Sequence, residues 1–253
     1  MSLAESVDDA QSRARLLDLL GFICLETERY EYAAQYARQA REAASSGLDR
    51  SELARSLKIE CGALMRLHQI EPAFERGKEA LAIFREVGDA VGELSMLNLL
   101  GMLRHEAGAF GQARQFALEA LERSRQIGER SLRGRVLNNL GHACEELGRH
   151  AEAVDAYLGG ISWSHTSDDR QNEARVCFNL ARLVREDEPT RAIVLVERSR
   201  RILDSLDLPY VQESERVLDE LTESMGRETV EDVLETYQER LEDIRELGRP
   251  TGP

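Results

Sequence analysis

The residues with the greatest capacity for covalent chemistry are four cysteines and five histidines. A cysteine nucleophile needs a nearby base to stabilise its thiolate, and the candidate bases for Cys144 are His142 and His105. Positions two residues apart lie about 200° apart on a helix of 3.6 residues per turn, so His142 and Cys144 point in different directions. We therefore predict that Cys24, Cys61 and Cys144, like Cys177, are buried, inert thiols, and we assign no catalytic residue.

Motifs for metal and nucleotide binding are missing from the sequence. No two histidines are separated by three or four residues, and no Cys-x-x-Cys pair occurs, so no metal site is predicted. No Gly-x-x-x-x-Gly-Lys-Ser/Thr is present, and no Gly-x-Gly-x-x-Gly follows a strand pattern. The sequence therefore predicts no cofactor.

Charge limits the classes of partner. The 253 residues include 33 Lys and Arg against 47 Asp and Glu, which gives a net charge of -14. This acidity argues against unaided binding to nucleic acid or to an anionic membrane. The charge is uneven, because residues 205–253 carry -9 of it and the rest of the chain is close to neutral. Scattered cysteines, and an N-terminus without a basic stretch followed by an apolar one, predict a cytoplasmic protein.

A period of forty residues runs through the chain, and periods of this length indicate repeat architectures. Small residues recur at two phases of the period. One column is Gly21, Cys61, Gly101, Gly141 and Ala181, and the other is Ala33, Ala73, Ala113 and Ala153. Apolar residues spaced by three and four, with Gly108 or Gly148 after them, predict two amphipathic helices in each unit.

The fourth unit carries the residues of a known repeat family. The stretch Leu137-Asn138-Asn139-Leu140-Gly141, followed by Gly148, His150, Ala153, Tyr157 and Gly160, resembles a tetratricopeptide repeat. The third unit matches similarly, whereas the second departs at Glu60-Cys61 and the fifth at the short turn before Pro189. The usual unit of that family has 34 residues. The longer connectors, such as Arg85 to Glu93, resemble those of Rap regulators and of the LGN and kinesin light chain scaffolds.

The resemblance implies an all-α fold, a right-handed α-solenoid of antiparallel helix pairs. Residues 10–205 are predicted to form five such pairs after an N-terminal tail, residues 1–9. Residues 206–248 are predicted to form two capping helices, and residues 249–253 a tail. In an alternative interpretation, Val230 to Leu247 is a coiled-coil stalk, because its apolar residues approximate a heptad.

The resemblance also implies which side chains line a concave groove, namely those at the second, fifth, sixth and ninth positions of each first helix. The basic and amide members of these columns are Arg15, Arg55, Lys58, Asn98, Arg135, Asn138, Asn139, His142, Arg175, Asn179 and Arg182. Asp18 is the acidic member, and Leu19 and Phe22 are apolar. Arginine binds carboxylates through two parallel hydrogen bonds, and an asparagine amide can pair with both groups of a peptide backbone. The predicted ligand is therefore an acidic peptide or protein segment.

A structural interpretation of the same arginines stays open. Arginine accounts for 31 of the 253 residues, and salt bridges between repeats could use it. The acids predicted as partners on or near the first helices are Glu93, Glu106, Glu146 and Glu186. Trp163, the single tryptophan, is predicted to pack against the next unit rather than to anchor a partner.

The preferred function is a non-catalytic scaffold for a protein or peptide, with no nucleic acid, membrane or cofactor. A second hypothesis is a sensory or regulatory module of a larger signalling protein that responds to a peptide or small ligand, which the Rap-like connectors suggest. Homo-oligomerisation through an exposed end unit is a further expectation. An enzyme would need a cluster of titratable groups in a pocket, and the sequence indicates none.

Overall fold

The computed structural model describes residues 10–47, 50–208 and 211–236, and the regular structure of these residues is entirely α-helical. The helices are α1 (Ala10–Glu26), α2 (Tyr30–Gly47), α3 (Arg50–Arg66), α4 (Ile70–Val87), α5 (Ala90–Glu106), α6 (Phe110–Ile127), α7 (Arg133–Glu146), α8 (His150–Thr166), α9 (Arg170–Val184), α10 (Pro189–Ser205), α11 (Val211–Met225) and α12 (Arg227–Thr236). The predicted all-α fold class is confirmed.

The helices form two compact units, residues 1–127 with α1 to α6 and residues 128–253 with α7 to α12. Within each unit, consecutive helices joined by short turns pack as pairs, and each pair packs on the next, as the predicted solenoid requires. Residues 1–9 and 237–253, which include both predicted tails, lie outside the described residues. None of the described helices is long and apolar enough to cross a membrane.

The turns of the first four hairpins share one backbone conformation. The amides of Gly108 and Gly148 each donate to the carbonyl three residues earlier at 2.9 Å, and their φ angles are 71° and 68°. This left-handed conformation costs glycine little, so the predicted helix ends at these residues are confirmed. Glu28 and His68 adopt it in the first two hairpins, with φ of 59° and 56°. The geometry of the repeat therefore outweighs the local preference of these two side chains.

Small residues allow aromatic rings to lie directly against the neighbouring helix. A Cβ added at Gly141 would lie 2.4 Å from the ring of Tyr157, whose side chain is fully buried. The Tyr157 hydroxyl donates to Glu145 Oε2 at 2.7 Å, which fixes the ring further. In residues 1–127, a Cβ at Gly92 would lie 2.4 Å from the ring of Phe84. The prediction that small residues mark the close approach of helices is confirmed at Gly141.

Helix α11 keeps the phase of the helices before it. Its buried residues Ser214, Val217 and Leu221 each follow a buried residue of α9 by forty positions. Val230 and Val233 of α12 lie in the same apolar core as Val217. The forty-residue pattern of buried positions therefore continues for one helix beyond the five predicted pairs. The capping role of residues 206–248 stays a prediction.

Buried acids in both units are held by arginines. Glu173 of α9 is fully buried and accepts hydrogen bonds from Arg198 Nε and Arg170 Nη1, each at 2.9 Å. Glu60 of α3 is 2% exposed and accepts from Arg41 Nε at 3.0 Å. A buried charge is tolerated only when it is paired and hydrogen-bonded, so these contacts tie neighbouring helices together.

The substitution Gly141→Ala should lower the free energy of unfolding by about 1–3 kcal/mol, because the new methyl group overlaps the Tyr157 ring. The matched control is Gly111→Ala in α6, where an added Cβ meets nothing within 4 Å. That variant should be unchanged or more stable by up to about 1 kcal/mol. Urea unfolding of both variants measures the difference, and equal stabilities would contradict the packing described here.

Candidate functional site

Three predicted groove residues of α7 and α9 are joined by side-chain hydrogen bonds. Asn179 Nδ2 donates to Asn138 Oδ1 at 2.9 Å and lies 3.0 Å from Nε2 of His142. Because an amide NH2 group only donates, His142 Nε2 is the acceptor in this pair. Asn138 and Asn179 are buried, and the His142 ring packs edge-on against Tyr157 with centroids 5.7 Å apart. We call Asn138, His142 and Asn179 the amide cluster.

Two exposed arginines lie on the same helices as the amide cluster. Arg135 Nε donates to Asp169 Oδ2 at 2.8 Å, and the other carboxylate oxygen of Asp169 accepts from the backbone N–H of Asn172 and caps α9. Arg175 donates to Oδ1 of Asn172 at 2.5 Å. Although Arg175 is exposed, its pKa is below the ordinary value, first because neighbouring groups desolvate the guanidinium and then because Arg135 has the same charge.

Arg182 and Asn139 are the remaining predicted residues of these helices. Arg182 is exposed at the end of α9, and Asn139 is partly buried on α7. The charge of Arg182 acts on the phenol of Tyr157, whose pKa is nevertheless raised by burial and by the hydrogen bond to Glu145. Residues 128–253 thus carry the amide cluster on the same helices as Arg135, Arg175 and Arg182, which are exposed residues.

In residues 1–127, the second-position arginines share one buried acid. Arg15 Nε and Arg55 Nη2 lie 2.7 and 2.8 Å from the same oxygen, Glu52 Oε1. The Glu52 side chain is 3% exposed, whereas those of Arg15 and Arg55 are 61% and 54% exposed. Arg135 also pairs with an acid at the start of the next first helix, Asp169. In both units, an acid at the start of a first helix receives an arginine from the preceding first helix.

The other groove columns of residues 1–127 are partly apolar. Leu19 and Phe22 of α1 are 55% and 50% exposed. Lys58 and Asn98 are partly buried on α3 and α5. The pKa of Lys58 is lowered by burial, although the charge of Asp89 favours the protonated form.

Asp18 of α1 differs from the other buried acids because no partner holds it. It is 8% exposed, and neither carboxylate oxygen has a hydrogen-bond partner within the described part of the chain. Burial raises the pKa of Asp18 from 3.8 to about 6. The nearby Ser56 hydroxyl opposes this rise in pKa. Of the two neighbouring charges, that of Glu52 adds to the rise and that of Arg55 opposes it. The Ser56 hydroxyl itself donates to the backbone oxygen of Glu52 at 3.1 Å.

The acids that hold the groove arginines were not identified from the sequence. Glu93, one of the predicted partners, instead pairs with Arg85 and Arg123 of the even-numbered helices, at 2.8 and 2.7 Å. A signal for the true partners exists, because acids recur with the forty-residue period before or at the start of the first helices. Its members include Asp89, Glu129 and Asp169. Glu52 lies three residues out of that phase and has no such signal.

The cysteines and the tryptophan occupy packed positions. All four cysteines are buried free thiols, as predicted, and burial raises the pKa of Cys61 and of Cys177 to about 12. Trp163 is partly buried, and the guanidinium of Arg133, on the first helix of the same pair, lies 4.6 Å from its ring centroid. The packing of Trp163 against the next unit stays a prediction. Among residues 10–47, 50–208 and 211–236, no group of three or more His, Cys, Asp or Glu side chains could hold a metal ion.

Comparison with known proteins supports the resemblance seen in the sequence. The tetratricopeptide repeat family model matches residues 93–158. No curated protein matches the sequence. The predicted similarity to this family is therefore confirmed over the third and fourth units, where the motif is most complete.

Solved structures extend the likeness to most of the chain. A signal-transduction ATPase with a tetratricopeptide repeat sensor from Pyrococcus horikoshii aligns with a TM-score of 0.75 at 15% identity, over 96% of this chain and 40% of that one. A plasmid Rap conjugation gene regulator in complex with the Phr* peptide aligns with a TM-score of 0.71 at 16% identity, over 96% of this chain and 67% of that one. A putative kinesin light chain repeat protein of Podosopora anserina aligns with a TM-score of 0.63 at 17% identity, over 78% of this chain and 97% of that one. At these identities the likeness shows the fold.

The substitution Asn179→Ala should destabilise residues 128–253 by about 1–3 kcal/mol, because Asn138 Oδ1 and His142 Nε2 lose their shared donor. Urea unfolding measures the loss. Gln171→Ala, an exposed position of the same helix, is the control and should change stability by no more than about 0.5 kcal/mol. A loss in Asn179→Ala no larger than that of the control would show that the amide cluster contributes nothing to the fold.

The substitution Asp18→Asn should stabilise the protein at neutral pH and not in acid. The folded pKa of about 6 lies above the unfolded value of 3.8, so the native chain loses stability as pH rises between these values. The ionised form therefore costs up to about 3 kcal/mol at neutral pH, which the neutral amide avoids. Thermal unfolding at about pH 4 and about pH 7.5 should show a gain for the variant only at the higher pH. A constant difference between the two proteins would contradict the raised pKa.

Proposed function

We propose that this tetratricopeptide-like chain is a non-catalytic binding module that holds an acidic peptide or protein segment against its first helices. The observation that carries the proposal is the amide cluster of α7 and α9, on the same helices as the exposed Arg135, Arg175 and Arg182. Repeat proteins of this kind commonly use extended concave surfaces for recognition.

The chemistry of these side chains suits an extended acidic segment. Each guanidinium has five N–H donors, and the hydrogen bonds of Arg135 to Asp169 and of Arg175 to Asn172 leave donors for a ligand carboxylate. Exposed ion pairs stabilise a protein by about 1 kcal/mol or less, so a ligand carboxylate can compete with Asp169 for Arg135. Asn138 and Asn179 are buried and hydrogen-bonded within the amide cluster, so they hold α7 and α9 together, and the exposed arginines of those helices are the groups that contact the ligand.

The environment of the nucleophilic groups favours binding over catalysis. All four thiols are buried. A pKa of about 12 keeps the Cys61 and Cys177 thiols protonated near neutral pH, and only a thiolate would attack a substrate. The net charge of -14 argues against nucleic acid and anionic membranes as partners. We expect the protein to act in the cytoplasm, without a cofactor.

A peptide partner is also supported by the Rap regulator that was solved in complex with the Phr* peptide. The signal-transduction ATPase favours a second candidate function, because nearly all of this chain corresponds to 40% of that protein, which contains a repeat sensor. In that alternative, the chain is the sensory module of a larger signalling protein. A small-angle scattering profile that changes when a peptide binds would favour the sensor over a rigid scaffold.

Binding can be tested with a rhodamine-labelled peptide of Glu, Leu and Ser residues and with the same peptide carrying Gln in place of Glu. Fluorescence anisotropy should show tighter binding of the Glu peptide. The double variant Arg135→Gln/Arg175→Gln should bind it about tenfold more weakly, which corresponds to about 1.4 kcal/mol for the loss of two charge-assisted contacts.

The control for this measurement is Arg216→Gln/Arg227→Gln, which removes two exposed arginines of α11 and α12 that pair with acids of their own helices. The control should bind like the native chain. Equal affinity of both double variants, or equal affinity for the two peptides, would overturn the proposed site on α7 and α9.

A further inference from the structure

Asp18 lies at the fifth position of the groove column on α1, next to the arginines that share Glu52. Its two carboxylate oxygens are buried and lack hydrogen-bond partners in the described residues. An ionised carboxylate in such a place loses its hydration without compensation, so it binds a proton far more readily than an exposed aspartate. The charge on Asp18 therefore changes within the physiological range of pH.

The polar groups that act on Asp18 come from α3, which presents Glu52, Arg55 and the Ser56 hydroxyl. Arg15 of α1 pairs with the same Glu52. Helix α2 meets α1 through small residues, since a Cβ added at Gly21 would contact the backbone of Ala33 and Ala37. Tyr36, also on α2, packs against the small cluster of Leu17 and Ala40.

The net charge of the four ionisable groups Arg15, Asp18, Glu52 and Arg55 depends on one proton. When Asp18 is protonated, these four groups together carry one net positive charge. When Asp18 is ionised, the positive and negative charges are equal. The arginine side chains are more than half exposed, so this difference is felt at the surface where a ligand would bind.

We propose that the surface of α1 and α3 around Arg15 and Arg55 binds a carboxylate of the partner, and that it binds more tightly when Asp18 holds a proton. Leu19 and Phe22 are exposed on the same stripe of α1, four and seven residues after Arg15. The partner segment that fits this surface has an acidic side chain beside a bulky apolar one. The inference rests on the proposed function and adds a proton-dependent subsite that lies within residues 1–127.

The test measures binding of the rhodamine-labelled Glu, Leu and Ser peptide to the full chain at about pH 5 and about pH 7.5. The peptide carboxylates, with pKa about 4.3, are mainly ionised at both values. The native chain should bind about fivefold more tightly at the lower pH, as expected for one added charge at a solvated surface. Asp18→Asn, which mimics the protonated side chain, should bind equally at both and match the native chain at low pH.

Two further measurements separate this inference from the proposed function. Arg15→Gln/Arg55→Gln should weaken binding and abolish its pH dependence, whereas Arg135→Gln/Arg175→Gln should weaken binding and keep that dependence. The same pH dependence in Asp18→Asn as in the native chain would overturn the proton-dependent subsite and leave the site on α7 and α9 standing. If only Arg15→Gln/Arg55→Gln loses binding, the site on α7 and α9 is overturned and the proton-dependent subsite stands. A peptide that binds at neither pH would overturn both.

Discussion

The structure depends on the close contact between neighbouring helices at small residues. One helical hairpin cannot bury its own apolar stripe, so each hairpin must lie against the next, and the approach distance is set by the residue at the contact. At Gly141 the absent side chain makes room for the Tyr157 ring, and at Gly92 for the Phe84 ring. Small residues recur at the phase of Gly141 in the other units, at Gly21, Cys61, Gly101 and Ala181, because a shift of one residue would turn the buried face by about 100°.

The same constraint determines where polar side chains can be used. Once the buried face of each first helix is fixed, a polar side chain on that face needs a partner on the neighbouring helix. Asn138 and Asn179 are buried and hydrogen-bonded to each other, so they form a polar contact between α7 and α9. Arg135 and Arg175 remain exposed beside polar partners that orient them.

Charge pairing explains the difference between structural and responsive acids. Glu173 and Glu60 are buried with arginines in hydrogen-bond contact, so their negative charge stabilises the contact between helices. Glu52 is buried in the same manner but holds arginines that are mostly exposed. Asp18 is buried beside that group without a partner of its own, and burial therefore raises its pKa. Glu60 and Glu173 thus connect helices, Glu52 orients two exposed arginines, and Asp18 is the acid whose charge depends on pH near neutrality.

The sequence alone determined the helical repeat, because a buried face repeats its apolar and small residues whatever the partner helix is. Local spacing along the chain was enough to predict the period at Gly101 and Gly141, the helix ends at Gly108 and Gly148, and the burial of the cysteines. The partners of the arginines did not follow, because Arg15 meets Glu52 and Arg135 meets Asp169 across helices, 37 and 34 residues away. The unpaired burial of Asp18 and the hydrogen bonds among Asn138, His142 and Asn179 depend likewise on distances between helices. Only the tertiary structure sets those distances, since helix spacing depends on how every side chain at the contact packs.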